Sequence, residues 1–322
     1  MRRMAIVLMA TALLLPACRN DRVPEHSDAS TTLATIAPTT IAPTTVIETT
    51  ADATTVPAAT FADRPYEVFV PSGYSDATAT PLVILLHGYG ASGAIQELYF
   101  KLQPEAEARG FLYVHPDGTK NQLGQAFWNA TDGCCDNTQS VDDSGYISFI
   151  IDQVSTTYNV DPARIYLVGH SNGGFMSYRM ACDHADQIAA IVSLAGATFE
   201  DATRCAPSEP VSVLQIHGTA DETIAYEGGN TPVGSYPAAL TTVAEWSTYD
   251  GCGEVMMGLG HVDLVSNLDG AETTTSTFIG CPEDVAVELW TMAGGPHIPQ
   301  LTENFASDIL DWLYDHPKGH SS

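Results

Sequence analysis

The stretch Arg164-Ile165-Tyr166-Leu167-Val168-Gly169-His170-Ser171-Asn172-Gly173-Gly174 constrains this chain more than any other, because it reads as a buried strand running into a sharp turn with a serine at its tip. In a G-x-S-x-G turn the serine occupies a strained strand-to-helix corner. Its hydroxyl then projects beyond the sheet's carboxyl edge, while the following helix aims its N-terminus at the same place. Gly169 and Gly173 are small, as a corner where strand and helix pass closely requires. Taken alone, the motif also fits a chance glycine-serine turn. Its context decides between the two.

Three other strand ends carry the chemistry such a serine needs. Upstream, Pro81-Leu82-Val83-Ile84-Leu85-Leu86 is a short apolar run ending in His87-Gly88-Tyr89-Gly90, the form of an oxyanion loop after an inner strand. Tyr89 and Asn172 are the residues expected to offer backbone N–H groups there. Downstream, the apolar run 211–217 leads directly into Gly218-Thr219-Ala220-Asp221, and the run 286–292 into Gly294-Gly295-Pro296-His297. The chain order Ser, Asp, His is therefore met by Ser171, Asp221 and His297. Asp201, Asp250, Asp263 and Asp269 also lie between the serine and the histidine, but Asp221 alone follows a core strand within a few residues.

The N-terminus has a different character. Arg2 and Arg3 precede an apolar run, residues 5–15, that is too short to span a bilayer and reads as the core of a secretory signal. Leu15-Pro16-Ala17-Cys18 resembles the lipobox of bacterial lipoproteins, which makes Cys18 a candidate for acylation and residues 1–18 an export signal. An ordinary cleaved signal with Cys18 as bystander is the alternative. Residues 19–60 shift to Thr, Ala, Pro, Ser and acids, with the near-repeat Ile36-Ala37-Pro38-Thr39-Thr40 and Ile41-Ala42-Pro43-Thr44-Thr45. Too few apolar side chains are present to offset ordering entropy, so this segment reads as a solvated tether with a contour on the order of 100 Å. It would hold a catalytic domain, residues 61–318, clear of a membrane to which the lipid is the only anchor.

That domain has the alternation of a mostly parallel α/β sheet. Strands are expected at 66–70 and 111–115 and a helix at 96–109. Tyr146, Ile147, Ile150, Ile151, Val154 and Tyr158 recur at helical spacing, as do Leu301, Phe305, Ile309, Leu310 and Leu313, and both stripes read as core packing. One of Asp142 and Asp143 is expected to cap the helix beginning near Ser144. As sequence neighbours they cannot flank one glycosidic bond from opposite sides.

The formal net charge is −27, and loss of the signal with its two arginines would leave −29, which argues against nucleic acid as a partner. Beyond Cys18, six cysteines remain: Cys134, Cys135, Cys182, Cys205, Cys252 and Cys281. An even number in an exported domain suggests disulfides, and none sits in a metal-like spacing. Cys182 ends the helix after the elbow and Cys205 lies in the connection after the next strand, so these two are expected to pair. Cys252 and Cys281 flank an insertion rich in Gly, Thr and Ser and are expected to tie its ends. Cys134 and Cys135 then form an adjacent-residue bridge or stay as thiols.

Collectively, His87-Gly88-Tyr89-Gly90, Trp128-Asn129-Ala130 with Cys134-Cys135, Val141-Asp142-Asp143, the elbow, Ile216-His217-Gly218-Thr219-Ala220-Asp221 and Gly294-Gly295-Pro296-His297 resemble one branch of the α/β-hydrolases. It is the secreted polyhydroxybutyrate-depolymerase and feruloyl-esterase-like branch. Pro296 stands where that branch commonly has glycine, and Ile298-Pro299 replaces its aromatic-proline pair. The resemblance implies a mostly parallel sheet with helices on both faces, no large cap domain, no cofactor and no metal. It also implies serine-dependent hydrolysis of carboxylic esters, polymeric ones included, either polyester or feruloyl- or acetyl-substituted polysaccharide. A peptidase on the same fold and a non-catalytic tethered binding protein are the alternatives.

His170 and His217 lie inside strand-end motifs and read as structural hydrogen-bonders. Trp128, in the long polar segment 116–143 at the strand ends, is the candidate substrate contact.

Overall fold

The protein's structure is a computed structural model that describes residue 61 and residues 64–134 and 141–319. The export signal, Cys18, the 19–60 segment and Cys135 lie outside the described residues. In chain order the elements are β1 (Val68–Phe69), β2 (Thr80–Leu86), α1 (Gly93–Phe100), α2 (Leu102–Arg109), β3 (Leu112–Val114), β4 (Thr119–Lys120) and β5 (Ala126–Phe127). They continue with α3 (Asp143–Thr157), β6 (Val160–His170), α4 (Asn172–Asp183), β7 (Ala190–Leu194), β8 (Ser212–Gly218), β9 (Gly229–Asn230) and β10 (Ser235–Tyr236). The last are α5 (Ala239–Tyr249), β11 (Met256–Val262), β12 (Thr273–Phe278), β13 (Val287–Met292) and α6 (Phe305–Tyr314).

Nine strands form one sheet in the order β1-β3-β2-β6-β7-β8-β13-β12-β11. From β3 to β13 every neighbouring pair is parallel, and the outer pairs are antiparallel. The inner strands β2, β7 and β8 are buried at every residue because helices cover both faces, which is why they read as largely apolar runs. Side chains alternate between faces. Leu82, Ile84 and Leu86 belong to the core on one face, with Tyr146, Ile150 and Trp246, whereas Val83 and Leu85 belong to the core on the other, with Phe100, Leu102 and Ile309. No helix among the described residues is long and apolar enough to cross a membrane.

Three elements depart from the expectations. The helix foreseen at 96–109 is two helices broken at Lys101, whose φ of 57° is left-handed. Pro104 has no N–H for the carbonyl of Phe100, and its ring would clash with it, so a continuous helix is excluded. The Glu97 carboxylate instead accepts from the N–H groups of Leu102 and Gln103 and caps the second helix (3.1 and 2.9 Å). The first strand shrinks to two residues pairing with β3. The insertion between Cys252 and Cys281 is no loose loop: β11 and β12 extend the sheet by a hairpin, with Thr273, Thr275 and Phe278 turned inward.

Cys182 is bridged to Cys205 and Cys252 to Cys281, with Cα–Cα distances of 5.2 and 3.7 Å. Cys134 is disulfide-bonded as well; its expected partner Cys135 lies outside the described residues. Asp142 caps α3 through Gly145 N–H at 2.8 Å. Asp143 is buried and accepts from Arg64, Thr119 and the Asn129 N–H, which anchors the segment between β3 and α3.

Candidate active site

Strand β6 ends at His170 and α4 begins at Asn172, so Ser171 alone makes the turn, with φ 54° and ψ −120°. A non-glycine residue held there costs on the order of 1–3 kcal/mol, which the surrounding close packing enforces. A Cβ on Gly169 would lie 2.1 Å from the Gly173 carbonyl oxygen, and one on Gly173 would lie 2.1 Å from that of Leu86. Neither position tolerates a side chain, so strand, helix and β2 meet at contact distance and lift the serine to the sheet's edge.

The carboxyl ends of β8 and β13 deliver its partners. His297 Nε2 lies 3.0 Å from Ser171 Oγ, and His297 Nδ1 lies 2.7 Å from Asp221 Oδ2. Asp221 Oδ1 accepts from the N–H groups of Thr223 and Ile224, both at 2.8 Å. Burial opposes a charge on Asp221, but the hydrogen bonds from His217, His297 and Ile224 outweigh it and hold the carboxyl well below the usual range. The expected serine, histidine and aspartate thus lie in one hydrogen-bonded chain, and the other four acids do not enter it.

Two more histidines support this arrangement. His217 donates from Nε2 to Ile224 O at 2.8 Å and accepts at Nδ1 from Gln215, which fixes the orientation of its ring beside Asp221. His170 donates from Nε2 to His297 O at 2.9 Å. Burial pushes its pKa down to about 4, with the neighbouring His297 acting in the same direction.

At the oxyanion loop, Gly88 N–H is bonded to Gln96 Oε1 (3.3 Å), Gly90 N–H to Ala126 O (2.8 Å) and Ala91 N–H to Gly88 O (3.1 Å). The N–H of Tyr89 is left without a partner among the described residues. Asn172 is the first residue of α4, a position whose N–H has no acceptor within its own helix. Both groups are therefore available beside Ser171.

Trp128 departs from the expectation. It is fully buried, its indole donates to His87 O at 3.1 Å, and it forms no part of the cavity wall. The segment around it folds back as the β4–β5 hairpin beneath the oxyanion loop, so the ring points inward. Apart from Tyr89, the walls come instead from residues outside the strand-end motifs. Tyr89, Ile95, Tyr99 and Ile298 form an apolar side, and Thr223, Asn230 and Thr231 contribute polar groups to an open cavity of about 960 Å³ that contains Ser171 and His297. The signal for Asn230 and Thr231 was the turn Thr231-Pro232-Val233-Gly234, which closes the β9–β10 hairpin.

A mostly parallel sheet with helices on both faces, and a serine elbow at the carboxyl end of a central strand, define an α/β-hydrolase. An acetyl xylan esterase from Aspergillus awamori shares the fold, with a TM-score of 0.55 at 15% identity over 79% of this chain and 97% of that one. Residues 72–254 match the phospholipase/carboxylesterase family, and the chain belongs to it. Feruloyl esterase B of Piromyces equi is 30% identical over 236 residues, 70% of this chain and 41% of that protein. The bifunctional acetylxylan esterase/xylanase XynS20E of Neocallimastix patriciarum is 31% identical over 260 residues, 80% of this chain and 34% of that protein. The chain therefore spans well under half the length of these two relatives.

Proposed function

We propose that the protein is an exported serine esterase that cleaves carboxylic esters on plant polysaccharide, of the feruloyl or acetyl type. The observation that carries this reading is the chain Ser171–His297–Asp221 opening into a cavity beside the N–H groups of Tyr89 and Asn172, which have no hydrogen-bond partner among the described residues. His297 takes the Ser171 proton as the hydroxyl attacks the ester carbonyl, and Asp221 holds the imidazole with its proton on Nδ1. Tyr89 and Asn172 N–H groups stabilise the tetrahedral oxyanion, each by an amount on the order of 3 kcal/mol. The alcohol leaves with the proton from His297, and water, activated by the same imidazole, hydrolyses the acyl-enzyme.

The relatives' names, feruloyl esterase and acetylxylan esterase, support the substrate class. Export is supported by disulfides in the domain and by the signal-like N-terminus, with Cys18 as the site of lipidation. A second reading, an aliphatic polyester, is favoured by Ile95 and Ile298, which stand 59% and 65% exposed on the cavity wall. Turnover of methyl ferulate, acetyl xylan and polyhydroxybutyrate under one set of conditions tests the choice. Preference for either polysaccharide-type ester supports the first reading. Preference for the polyester replaces it with the second, and no turnover of any ester contradicts both.

A further inference from the structure

Trp128 joins the two halves of the oxyanion site through bonds that involve both its side chain and its backbone. Its indole N–H donates to His87 O at 3.1 Å, while its own N–H and C=O are taken by the side-chain amide of Asn172 at 2.7 and 2.9 Å. Asn172 carries one oxyanion N–H, and the other, on Tyr89, lies two residues beyond His87. The peptide between His87 and Gly88 is held at both ends, its carbonyl by Trp128 and its N–H by Gln96 Oε1. The next peptide has its carbonyl, Gly88 O, fixed by His87 Nδ1–H at 2.8 Å and Ala91 N–H at 3.1 Å. A trans peptide points its N–H opposite its carbonyl, so these two donors aim Tyr89 N–H outward.

His87, Trp128 and Asn172 are each fully buried and Gln96 is 3% exposed, so no water competes for these bonds. We propose that Trp128 is a positioning residue that fixes the separation and direction of the Tyr89 and Asn172 N–H groups. The proposal rests on Ser171 being the nucleophile. It assigns the ring that looked like a substrate contact to the transition state instead, because oxyanion donors act on the tetrahedral state and little on the ground state.

The test uses the folded protein with Trp128→Phe, which keeps an aromatic ring against His87 and deletes the donor, and Asn172→Ala, which keeps the backbone N–H and deletes the clamp. Active sites are counted with a fluorophosphonate, so that any unfolded fraction drops out of the rate. Each variant should lose kcat on the order of tenfold per titrated site with KM nearly unchanged. Affinity for a trifluoromethyl ketone, which mimics the tetrahedral state, should fall in the same ratio as kcat/KM. The double variant should be little worse than the poorer single, since both arms hold one geometry. A lowered Tm with unchanged kcat per site and unchanged inhibitor affinity would reduce Trp128 to packing and overturn the proposal. Failure of the fluorophosphonate to label the wild-type protein would instead overturn the nucleophile assignment, and the positioning role with it.

Discussion

His170, the residue before the elbow serine, donates its Nε2–H to the backbone carbonyl of His297 across 2.9 Å. The strand that presents the serine thereby also fixes the loop that presents its hydrogen-bond partner. The bond requires His170 to keep a proton on Nε2, and burial, by pushing its pKa down to about 4, keeps the ring neutral overall.

The sign of the pH effect follows from that depression. The unfolded histidine takes a proton near pH 6.5 and the folded one near 4, so the stabilisation is fully present above 6.5 and is lost as pH falls from there to 4. The loss amounts to roughly 3 kcal/mol. Urea unfolding at pH 7 and pH 4.5 should show a smaller drop for His170→Gln than for the wild type. Equal drops would contradict the assignment.

Asp221→Asn leaves an oxygen for the Thr223 and Ile224 N–H groups but turns an amide N–H toward His297 Nδ1. The imidazole must then accept at Nδ1 and protonate Nε2, the nitrogen that has to receive the serine proton. Turnover should fall by about 10⁴-fold with a nearly unchanged melting curve. Near-normal turnover, with loss on changing Asp201, Asp250, Asp263 or Asp269 instead, would move the role to that acid.

The bridge from Cys182 to Cys205 closes a loop with a sequence separation of 23. Replacing both cysteines with serine should cost about 3 kcal/mol of stability in a denaturant titration and leave kcat little changed. Non-reducing peptide mapping should recover this pair and Cys252–Cys281, and should find Cys134 joined to Cys135. A peptide joining Cys134 to any of those four would refute the pairing.

Retention at the membrane should depend on Cys18. Cys18→Ser should move the protein from the membrane to the soluble fraction while esterase activity per molecule is unchanged. Fractionation identical to the wild type would rule out a lipid anchor there.

The parts of this protein that were legible in its sequence are those set by local chemistry. Gly169 and Gly173 flank a serine where close approach forbids a side chain, and apolar runs covered on both faces mark the inner strands. The β11–β12 hairpin was not legible, because its Thr, Gly and Ser composition resembles a loop unless the alternation of buried Thr273 and Thr275 is noticed. Trp128 was misplaced because a polar segment at the strand ends suggests a binding loop, whereas its ring is drawn inward by the carbonyl of His87. Ile95, Asn230 and Ile298 belong to separate elements, and only the folded sheet edge brings them to one cavity.

The central claim is that Ser171 carries the acyl group. Mass spectrometry of the protein quenched during turnover of a slow nitrophenyl ester tests it directly. The account predicts one acyl adduct on the peptide containing Ser171, with adduct and hydrolysis both absent in Ser171→Ala. Hydrolysis that persists in that variant, or an adduct on another residue, would contradict it.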